Sequence, residues 1–426
     1  MLDIKFIREN SEIVKEAVKN KKVSVDVDQL LKLDEERRKL RTTIENLNQE
    51  KNEAAKNKNI EQGKLVKENL VAFEENYKVL DQAYAELMLK LPNIPSEFTP
   101  IGKDESENKV IRQVGEVPKF SFKAKEHWEI GKALGMIDNE TASEVSGARF
   151  TYLKGDVALL EFALIQLVFS ILTNEAVIKE VAHKAGLKVS TKPFVPVVPP
   201  VLVKPEVMQR MGRLEPREER YHIPSDDLYL VGSAEHTLGP IHMDQTIPEH
   251  EFPIRYIGFS TAFRREAGSY GKDTKGILRV HQFDKLEMET FATPETSKEE
   301  QLLIVALQEH FLQSLGLAYQ VVEICTGDMG GPDYRQIDIE TWLPGQDRYR
   351  ETNTSDNMTD YQARRLNIKV KRAEGKSEFV HMNDATASAI GRTIIAVLEN
   401  YQQEDGTVKV PEALLPYMFG KTIIGK

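Results

Sequence analysis

FRREAGSYGKDTKGILRVHQFDKLEME, residues 263–289, reads as two strands joined by a glycine-rich, basic loop. Side chains alternate faces along a strand. One face of the second strand therefore carries Arg279, His281, Phe283, Lys285, Glu287 and Glu289, and the other Leu278, Val280, Leu286 and Met288. Arg264 and Glu266, two apart on the first strand, also point one way. Arginines, carboxylates and one aromatic ring on a concave sheet suit a triphosphate and a stacked adenine. The same alternation fits a half-solvated hairpin with an ordinary polar face. The rest of the chain separates the two.

The chain has 426 residues, which favours two domains over one. Hydrophobic residues make up 40% and charged residues 29%, as in a soluble protein with ample core. No run is expected to reach the apolar length of a membrane span. The first twenty residues are charged throughout and lack the apolar centre of a signal peptide. The single cysteine, Cys325, excludes an intrachain disulfide and a cysteine-based zinc site. These features point to the cytoplasm and away from a membrane. The formal charge of −10 argues weakly against nucleic acid, yet residues 37–67 hold nine Lys/Arg against four Glu.

Residues 30–91 carry two heptad patterns. Leu30, Arg37, Ile44 and Lys51 fall at a, with Leu33, Leu40, Leu47 and Ala54 at d. In the second pattern Leu70, Tyr77, Tyr84 and Leu91 fall at a, with Val66, Phe73, Leu80 and Leu87 at d. The polar interruption at 57–63 contains Gly63 and predicts a reversal into an antiparallel hairpin. Helices of roughly 27 residues would span about 40 Å. Pro92 and Pro95 end the second helix. The basic excess (Arg37, Arg38 and Arg41, then Lys51, Lys56, Lys58, Lys64 and Lys67) suits an arm that grips phosphates. A dimerisation or scaffolding coiled coil has the same pattern. The expected domains are a helical arm at 1–100, with its coiled coil at about 28–91, and a second domain at 115–426.

Residues 155–187 read as helical and amphipathic, and FVPVVPPVLVK, residues 194–204, as an edge strand or interface segment. Strands and helices then mix without βαβ rhythm, which favours an α+β domain on an antiparallel sheet. The glycines at 268, 271 and 276 sit in a hairpin loop, so they form neither a Walker nor a Rossmann motif.

Several stretches together resemble class II aminoacyl-tRNA synthetases, and specifically bacterial-type seryl-tRNA synthetases. Residues 263–287 resemble motif 2 over its whole length. DNMTDYQARR, GKSEFVH and AIGRTIIAVLENYQ resemble the approach to motif 3 and motif 3 itself, and VPPVLV the end of motif 1 at the dimer interface. The heptad arm has the family's length and place. The resemblance implies an antiparallel class II sheet flanked by helices, and a homodimer. It implies that serine and ATP form seryl-adenylate, and that the seryl group passes to the 3′ end of serine tRNA. The arm would recognise that tRNA's long variable arm by shape. Selenocysteine tRNA is a further implied partner.

By the same resemblance, Arg264 holds the α-phosphate and the serine carboxylate, and Glu266 reads the adenine or ribose side. Phe283 stacks on adenine, Arg279 meets the γ-phosphate, and Arg392 completes the phosphate clamp. Glu351, with Thr354, contacts nucleotide and Mg²⁺; no zinc is implied. Glu287 takes the serine ammonium, and Ser233, Glu235, Asp384 and Thr386 shape the pocket. Lys272 and Lys275 would touch the tRNA acceptor end. Guanidinium forks suit phosphates, and carboxylates suit ammonium and metal.

The departures bear on the serine pocket. Ser233-Ala234-Glu235 stands for a usual Thr-Ala-Glu, and His236-Thr237 for Val-Pro. Ungapped counting puts Asp384 where the family has Asn; a one-residue insertion would make Asn383 the equivalent. His236 fits a hydrogen-bonded packing residue or a pH-tuning neighbour, and Cys325 a buried strand thiol. A ligase charging a carrier-protein thiol and a non-catalytic paralogue remain as alternatives. The arm speaks against the first, and the retained Arg264, Arg279, Arg392 and Glu287 against the second.

Overall fold

The computed structural model describes residues 1–267 and 275–425, so Lys272 lies outside the described residues. Two compact units result, Met1–Ile94 and Pro95–Lys426.

The first unit has four helices: α1 Ile4–Glu9, α2 Ser11–Asn20, α3 Val27–Lys56 and α4 Ile60–Lys90. At 30 and 31 residues, α3 and α4 each span about 45 Å. Asp26 and Asn59 cap their N-termini by accepting the N–H of Gln29 and Gln62. The heptad residues are covered where α3 packs on α4, except Lys51, which is exposed. The reversal is shorter than 57–63. It takes only Asn57, Lys58 in a left-handed conformation, and Asn59, whose cap starts α4 early enough to absorb Gly63. Arg37 bridges the helices: it bonds Asp81 at 2.7 Å and lies 3.9 Å from the centre of the Tyr84 ring.

An eight-stranded sheet forms the second unit. Its strands in chain order are β1 Lys109–Val114, β2 Val195–Val197, β3 Ile254–Phe263, β4 Gln282–Ala292, β5 Tyr319–Glu323, β6 Arg335–Leu343, β7 Arg348–Thr359 and β8 His381–Ala389. In space they run β1-β5-β6-β7-β8-β4-β3-β2, all antiparallel except the edge pair β2–β3. Three helices, α5 Gly155–Leu172, α6 Ser297–Ser314 and α7 Ile390–Asn400, join one apolar core with this sheet. Leu164, Leu307 and Ile394 meet Leu286 and Met288 of β4 there. The opposite face of β4, β8 and β7 is left for polar residues.

Three expectations need correction. The helical stretch at 155–187 is two helices, broken where Asn174 caps Glu175–Lys184 by accepting the N–H of Ala176 and Val177. Helix α5 is by length and composition apolar enough to cross a membrane, although no such run was expected. Its buried side is core, which explains the composition. The strands of the opening stretch are also displaced: β3 ends at Phe263 and β4 begins at Gln282. Arg264, Glu266 and Arg279 therefore come from the turns between them, where Glu266 adopts φ +53°. Leu278 and Val280 still turn to buried surroundings, but they line a cleft together with Ile277.

Candidate active site

Two adjoining clefts open on the polar face. The first, about 570 Å³ including space open to solvent, is lined by Arg264, Glu266, Arg279, Phe283, Glu351 and Arg392, over an apolar floor of Ile277, Leu278 and Val280. The second, about 1200 Å³ including space open to solvent, is lined by Ser233, Glu235, Glu287, Thr354, Asp356 and Asp384 with Arg213 and Arg220. Arg264, Glu266, Arg279 and Lys285 border both. A ligand with a charged junction and two different ends fits such a pair.

In the first cleft the guanidiniums are held by neighbours. Arg264 donates from Nε to the Gly232 carbonyl at 3.1 Å, with its Cζ 5.3 Å from the centre of the Phe283 ring. Burial, and then Arg392, push its pKa down, so the site is poised to gain an anion. Arg392 donates from Nη1 to the Glu351 carbonyl at 2.9 Å and reaches Glu351 Oε1 at 3.1 Å. Desolvation opposes ionisation of Glu351, but Arg392 and Arg264 prevail and hold it below its ordinary range. Glu266 Oε2 accepts from Arg279 at 2.6 Å. One wall is fixed by His127, whose Nε2 accepts the N–H of Ile277 at 3.2 Å while Nδ1 lies 3.1 Å from Glu399 of α7.

The second cleft is built on a tight turn. Ser233 Oγ accepts the N–H of Glu235, and His236 Nδ1 accepts that of Gly232 at 3.1 Å. His236 is a packing residue: burial lowers its pKa to about 3, and it stays neutral. Burial raises the pKa of Glu235, but Arg213 at 2.6 Å outweighs this and brings it to about 2. Gln362 adds a donor at 3.2 Å. Glu287 is buried beside Lys285 at 2.6 Å, and burial still lifts it above the ordinary carboxylate range.

The β8 register sends the two candidates for the amide position to different surroundings. Asn383 pairs with Thr290, bonding Thr290 Oγ1 at 3.1 Å, and does not line the cleft. Asp384 does line it, 3.5 Å from Arg213. Thr386 lies in the first cleft rather than with Ser233, and Thr354 lies in the second cleft, apart from Glu351. Cys325 is buried, its thiol donating to the Asp104 carbonyl.

Lys285 and Glu289 stood on the charged face of the opening stretch without a role assigned to them. Arg213 carried no local signal and reaches the cleft only through the fold; Asp356 and Gln362 lie in the stretch DNMTDYQARR, but no role was assigned to them.

In the first unit, Lys51, Lys56, Lys58, Lys64 and Lys67 are exposed. Arg38 and Arg41 are exposed and paired with Asp34 and Glu45, at 3.3 and 3.1 Å. Arg37 is committed to the helix pair, and its side chain is only 23% exposed.

An antiparallel sheet that presents arginines and carboxylates from a strand–turn–strand and from a strand–helix junction defines a class II aminoacyl-tRNA synthetase. Residues 220–401 match the profile of the tRNA synthetase class II core domain (G, H, P, S and T), and residues 1–95 that of the seryl-tRNA synthetase N-terminal domain. The serine–tRNA ligases of Treponema denticola and Thermodesulfovibrio yellowstonii are 39% and 40% identical to this chain; each match covers 98% of it, and 98% and 99% of the relative. The crystal structure of seryl-tRNA synthetase from Pyrococcus horikoshii complexed with ATP superposes with a TM-score of 0.88 at 35% identity, covering 100% of this chain and 99% of that one. The chain belongs to the seryl-tRNA synthetase family, enzymes that activate serine and charge tRNA with it.

Proposed function

We propose that the two adjoining clefts hold ATP and serine, with Arg264 at the junction. The observation that carries this is the set of residues common to both: a guanidinium there can meet the α-phosphate and the serine carboxylate together. Bringing the two reactants to one charged point is the principal source of rate in such a step. Phe283 and the floor of Ile277, Leu278 and Val280 suit the adenine, and Arg392 the phosphates. Arg279 would exchange Glu266 for the γ-phosphate. Glu287 and Glu235 suit the ammonium end, Ser233 and Asp384 the side chain, and Thr386 the boundary between the two ligands.

The residues fit a Mg²⁺ ion that arrives with the nucleotide. Burial and then Glu351 push Asp338 well above the usual carboxylate range, while Arg392 already neutralises Glu351, so a cation there would chiefly relieve Asp338. Among the described residues no three His, Cys, Asp or Glu side chains converge on a metal position. One or two carboxylates plus phosphates is the usual set for magnesium. Glu351 would hold the ion, which would neutralise the phosphates; Thr354, in the second cleft, stands apart from it.

The arm would bind serine tRNA through its long variable arm, with Lys51, Lys56, Lys58, Lys64 and Lys67 on phosphates and Arg38 and Arg41 beside them. Lys275 would reach the acceptor end; its Nζ lies 4.4 Å from the centre of the Trp128 ring. Edge strand β2 and its surroundings expose Val195, Val198 and Leu202, which supports a homodimer on that edge. The reading places the enzyme in the cytoplasm.

Amino-acid-dependent ATP–pyrophosphate exchange across serine, threonine, alanine, glycine and cysteine tests it. Exchange driven by serine alone is expected. Exchange driven by another amino acid would mean that Ser233 and Asp384 have rewritten the pocket.

A further inference from the structure

Three carboxyl side chains stand abreast across three strands. Glu289 of β4 is directly opposite Asp384 of β8, and Asp384 is directly opposite Asp356 of β7. Opposed residues in antiparallel strands bring their Cβ atoms to about 5 Å and share one face. All three are buried. Like charges so placed, away from water, cannot all be ionised.

The counter-charge is too small to relieve them. Arg213 is shared: 2.6 Å from Glu235, 3.5 Å from Asp384 and 4.0 Å from Asp333. Lys285 is taken by Glu287. His236 is turned to the Gly232 N–H and stays neutral, and Asp338 of β6 adds another acid. Tyr361, from the helix Tyr361–Leu366, is uncharged. Both carboxyl oxygens of Glu289, and Oδ1 of Asp384, have no hydrogen-bond partner in the protein. Burial, reinforced by the acidic neighbours, pushes Glu289 and Asp384 well above the usual carboxylate range.

We propose that Asp384 and Glu289 form a proton-bearing floor to the amino-acid pocket, beside the third acid Asp356, and that Asp384 is a neutral carboxylic acid that reads the side-chain hydroxyl of the bound amino acid. A neutral carboxyl offers one donor and one acceptor, the pair an amide would offer in the same place. Glu289 is then the residue that makes Asp384 workable: opposite it, with no cation of its own, it disfavours charge on Asp384. This rests on the placement of serine in the second cleft.

The test is the pH profile of serine-dependent exchange, from about pH 6 to about pH 9, for the wild type, D384N, E289Q and E287Q. The wild type should lose kcat/KM for serine on the alkaline side by about tenfold per pH unit once the floor ionises, with the change in KM for serine and not in KM for ATP. D384N should lack that limb, because an amide has no proton to lose, and E289Q should move it to lower pH. A limb in D384N that superposes on the wild type, while KM for serine itself has shifted, would overturn the proton-bearing floor and leave the pocket in place. An unchanged KM for serine in both D384N and E287Q would overturn the pocket. Should D384N not fold, infrared spectra of the wild type and E289Q decide. A protonated-carboxyl band at neutral pH, diminished in E289Q, is expected, and its absence from the wild type would refute the proposal.

Discussion

The arm and the catalytic cleft are both rich in charge, and they use it in opposite ways. On α3 and α4 the tip lysines are exposed and face water. In the cleft, charges are committed to partners, Arg213 to Glu235 and Lys285 to Glu287 in buried surroundings and Arg392 to Glu351 nearer the opening. Exposed charge costs little to fold and is screened by salt; buried charge persists only with its partner. The first suits reversible contact with a polyanion, and the second suits positioning a reacting group. Breaking the two should therefore have different signatures.

The largest effect is expected from Arg264→Ala. Removing a guanidinium from the point where the clefts meet should lower serine-dependent pyrophosphate exchange by about 10²–10³-fold. Binding of tRNA, measured by filter retention, should persist. Surviving exchange would move the charged junction elsewhere. Next comes the joint change of Lys51, Lys56, Lys58, Lys64 and Lys67 to alanine. We expect roughly tenfold to hundredfold weaker tRNA binding at moderate salt, a shallower dependence of log affinity on log salt, and intact exchange. An unaltered salt slope would assign tRNA contact to another surface.

The same contrast explains how far the sequence could be read. The arm is made of contacts between neighbours in a heptad, so its helices, seam and basic tip were visible in residues 30–91. What escaped was local chemistry at the turn, where the Asn59 cap overrode Gly63. The cleft is assembled from β3–β4, β7, β8, the turn at Ser233 and the end of the helix Pro205–Met211. Resemblance supplied Arg264, Glu287 and Arg392 within recognisable stretches, Asp384 by counting between two of them, and Glu351 by the same family likeness outside them. Arg213 was invisible, since nothing near it in sequence marks a cleft, and Gln362 went without a role although it lies in the recognisable stretch DNMTDYQARR. The row of Glu289, Asp384 and Asp356 needs the register of three strands, which alternation within one strand cannot supply. The same register puts Asp384, and not Asn383, on the cleft.

Within the arm, Asp34 is the exception that behaves like the cleft. It is buried, bonded to Arg8 at 2.7 Å, and has Arg38 at 3.3 Å and Arg37 at 3.9 Å. Asp34→Ala should destabilise the first unit by about 1–3 kcal/mol, less than a fully buried pair because the arginines reach water. A separate early melting transition with exchange retained would show it; no change in melting would make the cluster decorative.

The smallest effect should be the pH dependence of stability, and its sign differs by group. Glu235 at about 2 and His236 at about 3 lie below their unfolded values, so both contribute stability at neutral pH. That contribution fades as pH falls: for His236 from its unfolded value of about 6.5 down to about 3, and for Glu235 from about 4 down to about 2. Glu161 behaves in reverse: burial and Asp284 raise it to about 8. Its contribution is full below about pH 4 and declines until pH passes about 8, and Glu289, Asp384 and Asp356 lean the same way. Chemical denaturation of the whole chain should therefore give a catalytic-unit stability that declines on both sides of a mildly acidic maximum, while the arm, with its lysines in water, stays nearly flat over the neutral range. Glu161→Gln should flatten the alkaline side only in part, because the three-carboxyl row remains. If that single change removed the whole alkaline decline, the row would be ionised at neutral pH, and the contrast between free charge on the arm and suppressed charge in the cleft would fail at its centre.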